Sequence, residues 1–152
     1  MPPRPAGDPE PLPYLADAKD REQGGLAVQL EVTLTTERMR ASGLAPHVLS
    51  RGSADAAMYW SAAQIVAHHS SNGCNLQPGD LIGTGTLSTE SAGGLGSLLE
   101  ISQGGKQPIA LAGGESRSFL EDGDEVILKA WCEGDGLRIG FGECIGRVVA
   151  SA

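Results

Sequence analysis

The chain has 152 residues, with 11 Lys and Arg against 19 Asp and Glu, so its formal charge is −8. That acidity opposes the counterion release that drives nucleic-acid binding, and no basic stripe offsets it, which excludes nucleic acid and anionic membranes as partners. Hydrophobic residues at 40% and 22 glycines supply a folded core. The apolar runs fall far short of the ~20 residues a bilayer span needs, and no signal-peptide core is present, so the expected compartment is the cytoplasm.

Residues 1–13 carry six prolines and read as an extended, polyproline-like arm or linker, with residues 14–152 as the folded part. After the charged patch Asp17 to Glu22 and the Gly24-Gly25 break, Leu26 to Leu34 alternates apolar residues at 26, 28, 30, 32 and 34 with Gln29, Glu31 and Thr33. This period of two predicts a strand with one buried face. The run Ala54 to Ser71 has no Gly or Pro. With Ser53 as N-cap, Asp55 in the first turn and Asn72-Gly73 as the stop, it predicts one principal helix. Met58, Ala62, Ile65 and His69 share its helical spacing, and the small residues Ala57, Ser61 and Ala62 suit close packing.

From Cys74 onward the pattern is β. Pro78-Gly79 fits the centre of a type II turn leading into a strand over Asp80 to Leu87. The same punctuation recurs as Leu120-x-Asp122-Gly123-Asp124 ahead of a strand from Glu125 to Trp131. Gly134-Asp135-Gly136 then forms a hairpin loop into Leu137 to Phe141. A hairpin centred on Asp135 sets Cys132 opposite Arg138 and Cys144 opposite Val126. With Cys74 the cysteines are odd in number and lack C-x-x-C spacing, so they read as reduced structural thiols. The expected fold is mainly β with one principal helix, a mixed β-sandwich or roll with bulges.

Most chemical candidates reduce to structure. His68 and His69 are helix neighbours pointing about 100° apart and cannot easily share an ion, so one packs or caps and the other is solvated. His47, after Pro46, carries no positional signal. Glu121-Asp122-Gly123-Asp124-Glu125 lacks the spacing of a calcium loop. Gly83-x-Gly85 and Gly93-Gly94-x-Gly96 precede no phosphate-binding helix and read as bulges and a mobile loop. No nucleophile elbow exists, and no cysteine has a recognisable base partner in the sequence. Two positions remain. Glu100 lies in the otherwise apolar Ser97 to Ser102, read as a strand, where a carboxylate must be paired, hydrogen-bonded or functional. Thr86 ends a strand relieved by Gly85, where a hydroxyl and bare backbone can meet a ligand.

These residues fall inside a longer pattern: Met58-Tyr59-Trp60, Gln64, His68-His69, Asn72-Gly73-Cys74-Asn75-Leu76, Pro78-Gly79-Asp80-Leu81, Gly85-Thr86 and Gly96-Ser97-x-Leu99-Glu100. It continues through Phe119-Leu120-x-Asp122-Gly123-Asp124-Glu125-Val126 to Cys132-x-Gly134-Asp135-Gly136-x-Arg138-Ile139-Gly140-Phe141-Gly142-x-Cys144-x-Gly146. From about Pro11 to Val149 the chain resembles the C-terminal part of the catalytic domain of the fumarylacetoacetase family. The resemblance implies hydrolysis of a carbon–carbon bond in a β-diketone, giving fumarate and acetoacetate in tyrosine and phenylalanine breakdown. It further implies that a divalent cation, Mg²⁺ or Ca²⁺, polarises the substrate while a His–Glu pair activates water, as in that family. By motif, Glu100 matches the carboxylate that orients the basic histidine, and Thr86 a substrate-contacting threonine. His68 and His69 match a family pair that is not the general base.

The metal ligands, the general base and the other substrate-gripping residues of that family lie upstream of these residues. The chain is therefore expected to be a fragment, inactive alone and without a metal site of its own, from a protein that forms homodimers. A half-domain would expose the Leu26 to Leu34 face. Thr89-Glu90 stands where the family runs Gly-Pro, and Ser53-Ala54 where Asn-Phe is common. The alternatives are another superfamily hydrolase or decarboxylase of oxo acids, such as an acylpyruvate hydrolase, and a non-catalytic oligomerising module.

Overall fold

The computed structural model describes residues 10–151; most of the proline-rich arm lies outside them. The described residues cluster into two compact units, 10–27 with 53–87 and 28–52 with 88–151.

In the first unit, Pro13–Leu15 forms a 3-10 turn and Ala18–Gln23 a short helix, α1, whose N-cap Asp17 accepts from the Asp20 N–H. The principal helix is divided. α3 covers Ala54–Ala57, Met58 turns extended (φ −86, ψ 113), and α4 runs Ala62–Ser70. The break follows from Ser61-x-x-Gln64, a capping box in which the Ser61 hydroxyl accepts from Gln64 N–H and the Gln64 carbonyl from Ser61 N–H, each at 3.1 Å. Ser53 holds the N-cap position of α3 without a side-chain bond. Gly73, at φ +87, ends α4 as expected.

The packed position on α4 is the polar Gln64, 5% exposed, rather than the Met58–Ala62–Ile65–His69 stripe, in which Ala62 and His69 are exposed. Gln64 Nε2 donates to the Leu15 carbonyl at 3.0 Å, and Ser61 Oγ donates to Asp20 Oδ2 at 2.9 Å, so one capping box ties α4 to both preceding turns. Ser61→Ala, which removes a buried cap and its bond to Asp20, is expected to cost about 1–2 kcal/mol in urea unfolding.

In the second unit, β1 (Val28–Thr35), β2 (His47–Ser53), β5 (Glu125–Gly134) and β6 (Leu137–Arg147) form a four-stranded sheet in the order β2-β1-β5-β6. β5 is antiparallel to both β1 and β6. His47, read from the sequence as a loop residue after Pro46, is the first residue of β2. β3 (Ile109–Ala110) and β4 (Ser116–Arg117) make a small second antiparallel pair. The helices α2 (Glu37–Ala41) and α5 (Leu98–Ile101) are single turns. The fold is mixed, with an antiparallel sheet, few helices and no closed barrel among the described residues, in keeping with part of a fold of the expected type.

β1 forms as its alternation requires but is not one-faced. It is an interior strand, and Thr33, Leu34 and Thr35 are all buried. Leu34 joins Met39, Leu49 and Leu111 in the core, with Val32, Leu98, Ile101 and Val126 packed around them. The apolar surface left open lies instead along β6, where Leu137, Ile139, Phe141 and Ile145 are each more than half exposed. The β5–β6 hairpin turns on Asp135-Gly136, both at positive φ (51° and 75°), a type I′ turn centred between the two residues. This sets Cys132 opposite Ile139 and Cys144 opposite Leu128, correcting the pairing expected from a turn centred on Asp135. The ladder slips between Lys129 and Trp131, so Phe141 and Gly142 together face Ala130, and Gly142 takes φ +84. All three cysteines are free.

The two echoed turns share one hydrogen-bond pattern. Gln77–Asp80 closes through Asp80 N–H to the Gln77 carbonyl at 3.1 Å, with Gln77 N–H donating back to Asp80 Oδ2 at 2.8 Å. Glu121–Asp124 repeats this at 3.0 and 2.9 Å. Gly79 (φ +101) and Gly123 (φ +87) fill the position that needs positive φ. Their exits differ. Glu125 enters β5, but 80–87 forms no strand, and among the described residues no neighbouring strand offers it a ladder; Leu81 there is 99% exposed.

Candidate active-site carboxylate

Ser97 to Ser102 is not a strand. Ser97-x-x-Glu100 is a helix-start pattern. Ser97 Oγ accepts from the Glu100 N–H at 3.3 Å and opens α5, which ends where Gly104, at φ +69, returns its N–H to the Leu99 carbonyl at 2.7 Å. Leu98 and Ile101 seat this turn against the core, so Glu100 between them points outward and is exposed rather than buried in an apolar strand.

Although exposed, the carboxylate is held. Ser97 Oγ donates to Oε2 at 2.7 Å, and Ser88 Oγ lies 2.9 Å from Oε1 and 3.0 Å from Oε2. Ser88 in turn accepts from Gly96 N–H at 3.0 Å. The intervening loop closes on itself, with Thr89 N–H to the Gly94 carbonyl and Gly94 N–H to Ser91, each at 2.9 Å. Arg51 N–H on β2 holds Gly93 at 2.9 Å. A Cβ at Gly94 would lie 1.9 Å from Thr89 Oγ1 and 2.5 Å from Ser91 Oγ, so a larger residue there would displace both hydroxyls. Thr89, the departure from the family pattern, thus contributes backbone and hydroxyl contacts to a closed loop that presents Ser88.

Hydroxyl donors favour the ionised form of a carboxylate. The Ser97 hydroxyl, followed by that of Ser88, holds Glu100 below the usual glutamate value of 4.5. A depressed folded-state value adds stability that is present above the unfolded value and lost as pH falls through the folded one. A ¹³C titration of the Glu100 carboxyl should therefore give a midpoint below that of an unperturbed glutamate. Ser97→Ala should raise it more than Ser88→Ala; equal midpoints in all three proteins would contradict the clamp.

Thr86 lies in the irregular segment after Gly85, which takes φ +78, and its side chain is exposed. It belongs to the first unit and Glu100 to the second. Both helix histidines have partners: His68 Nδ1 lies 2.8 Å from the Tyr14 hydroxyl with the rings stacked, and His69 Nε2 lies 3.1 Å from Cys74 Sγ. The second contact corrects the expectation that no cysteine has a base. The sequence reading also missed Ser88 and Ser97; for Ser97 the signal was available in the Ser-x-x-Glu spacing, while Ser88 is brought in only by the loop. Among the described residues no three His, Cys, Asp or Glu side chains are grouped to hold a metal ion, and the donor set present does not fit a divalent-cation site. No helix among them is long and apolar enough to cross a membrane.

The family model for the fumarylacetoacetate (FAA) hydrolase C-terminal domain matches residues 15–149. The chain is 45% identical over 147 residues to a protein of Homo sapiens named fumarylacetoacetase, and 43% identical over 147 residues to its namesake in Arabidopsis thaliana. Each alignment covers 97% of this chain and 33% of the relative. A Caenorhabditis elegans fumarylacetoacetase is 52% identical over 92 residues, 60% of this chain and 22% of that protein. The chain spans about a third of the length of the curated relatives it covers most fully. By the extent of the match and the identity it carries, the chain belongs to the fumarylacetoacetate hydrolase family, in its C-terminal region.

Proposed function

We propose that residues 14–152 supply the C-terminal part of the catalytic domain of a fumarylacetoacetase, which hydrolyses the carbon–carbon bond of fumarylacetoacetate to fumarate and acetoacetate. The observation that carries this reading is the Glu100 clamp. An exposed carboxylate, held ionised by two serines and with acceptor capacity left over, suits it to receive the N–H of an imidazole. Held by Glu100, that ring keeps its far nitrogen free to take a proton from water, and the carboxylate stabilises the imidazolium that forms. The water oxygen attacks the substrate carbonyl, the carbon–carbon bond breaks, and the proton passes to the departing acetoacetate carbon. The Thr86 hydroxyl is assigned a hydrogen bond to substrate.

Mg²⁺ or Ca²⁺ would take its ligands from outside these residues, and the roles assigned to this chain are confined to Glu100 and Thr86. Homodimerisation, a cytoplasmic location and a place in tyrosine and phenylalanine breakdown complete the proposal; the exposed apolar residues of β6 support association with further protein. The test is a chimera in which this chain replaces the matching third of the human relative, assayed by loss of fumarylacetoacetate absorbance with saturating Mg²⁺ or Ca²⁺. Turnover is expected from the chimera and none from the 152 residues alone. Appreciable turnover by the isolated chain, or a folded chimera that cleaves other oxo acids but not this one, would overturn the reading.

A further inference from the structure

The hydrolytic role proposed above makes no use of Cys74 and His69. α4 ends at Ser70, and the Asx contact from Cys74 N–H to Asn72 Oδ1 (3.1 Å) folds the chain back so that the exposed thiol meets the imidazole, Sγ to Nε2 3.1 Å. His69 stands in the last turn of α4. A cavity of about 440 Å³ lined by Ile65, His69, Leu76, Asp80, Leu81, Ile82 and Gly83 opens on the imidazole, and the thiol itself is exposed, so a small molecule can approach on the His69 side of the contact. Among the described residues Cys132 and Cys144 have no such neighbour: both lie in the β5–β6 ladder, Cys132 half-buried and Cys144 exposed.

We propose that Cys74 and His69 form a thiol–imidazole pair that captures small conjugated carbonyl electrophiles, alkenes polarised by an adjacent C=O. With His69 in its Nδ1–H tautomer, Nε2 takes the thiol proton as sulfur forms a bond to the β-carbon. The π electrons move onto the carbonyl as an enolate, and the imidazolium returns the proton to the α-carbon. The product is a thioether carrying the elements of S–H across the former double bond, so no oxidant and no leaving group is involved.

The test is competitive labelling of the 152-residue chain by limiting N-ethylmaleimide, and separately by monomethyl fumarate, with the adduct at each cysteine quantified by peptide mass spectrometry. Cys74 should react at least fivefold faster than Cys144, which is also exposed. His69→Gln should slow Cys74 at least fivefold while leaving Cys132 and Cys144 unchanged, and those two serve as internal reporters of an intact sheet. His68→Gln, which alters the Tyr14 contact instead, should change the Cys74 rate by less than twofold. In His69→Ala, added free imidazole should restore labelling at Cys74 and not at Cys144. Equal rates at Cys74 and Cys144, or a Cys74 rate that does not depend on His69, would overturn the proposal.

Discussion

Replacing Asp124 by Ala is expected to destabilise the chain by about 3 kcal/mol, the cost of leaving a buried charge without its partner. Asp124 is fully buried and Arg117 is 9% exposed. The guanidinium donates twice to the carboxylate, Nε to Oδ2 at 2.8 Å and Nη2 to Oδ1 at 3.1 Å. Asp124 holds the charged form of Arg117 more firmly than in water, first through these hydrogen bonds. The carboxylate also accepts the Glu121 N–H and so closes the turn into β5. After truncation the guanidinium keeps its bond from Nη1 to the Ser116 carbonyl at 2.9 Å and the longer contacts to Glu121 at 3.4 Å and Glu115 at 3.7 Å, which places the expected cost at the low end of the range for broken buried pairs.

Asp80 provides the comparison. It occupies the same position in a turn with the same two hydrogen bonds, yet it is exposed and pairs with no arginine among the described residues. Asp80→Ala should cost at most about 1 kcal/mol, the scale of one solvent-accessible hydrogen bond. Urea unfolding of both variants separates turn closure from charge burial. If the two differ by less than 1 kcal/mol, the buried pair is not what stabilises the entry to β5.

Glu100→Gln in the chimera is expected to lower kcat by about 10²–10⁴-fold, the range for losing a positioned acid–base group, with a much smaller change in KM. Glutamine preserves shape and can still meet Ser88 and Ser97, but it lacks the charge that would stabilise an imidazolium. Ser97→Ala should produce a smaller loss, because Ser88 still contacts both carboxylate oxygens. A Glu100→Gln chimera within threefold of its parent would remove the role assigned to Glu100 while leaving family membership standing.

Local chemistry wrote several features directly into the sequence. Alternation from Val28 to Leu34 produced a strand, Pro78-Gly79 and Asp122-Gly123 produced turns that need a residue at positive φ, and Asp135-Gly136 produced a hairpin. Each depends on dihedral preferences and hydrogen bonds that span only a few residues. The capping signals at Ser61-x-x-Gln64 and Ser97-x-x-Glu100 were equally local; the Gly- and Pro-free run from Ala54 to Ser71 and the apolar neighbours of Glu100 outweighed them.

What the tertiary structure decided depends on distant partners. β1 is an interior strand because β2 and β5 flank it, and at its C-terminal end Thr33, Leu34 and Thr35 are buried, with Leu34 packed on Met39, Leu49 and Leu111. Segment 80–87 carries a strand's composition but is no strand, because among the described residues no strand pairs with its backbone. Glu100 faces outward because Leu98 and Ile101 take the core, and its ionisation is favoured by a serine twelve residues away that only a closed loop delivers. Arg117 and Asp124 became a buried pair only when β4 met the turn before β5. Turns and strand propensities act over a few bonds, so one sequence suffices to read them. Burial, pairing and the state of a carboxylate are set by whatever the folded chain brings within a few ångströms.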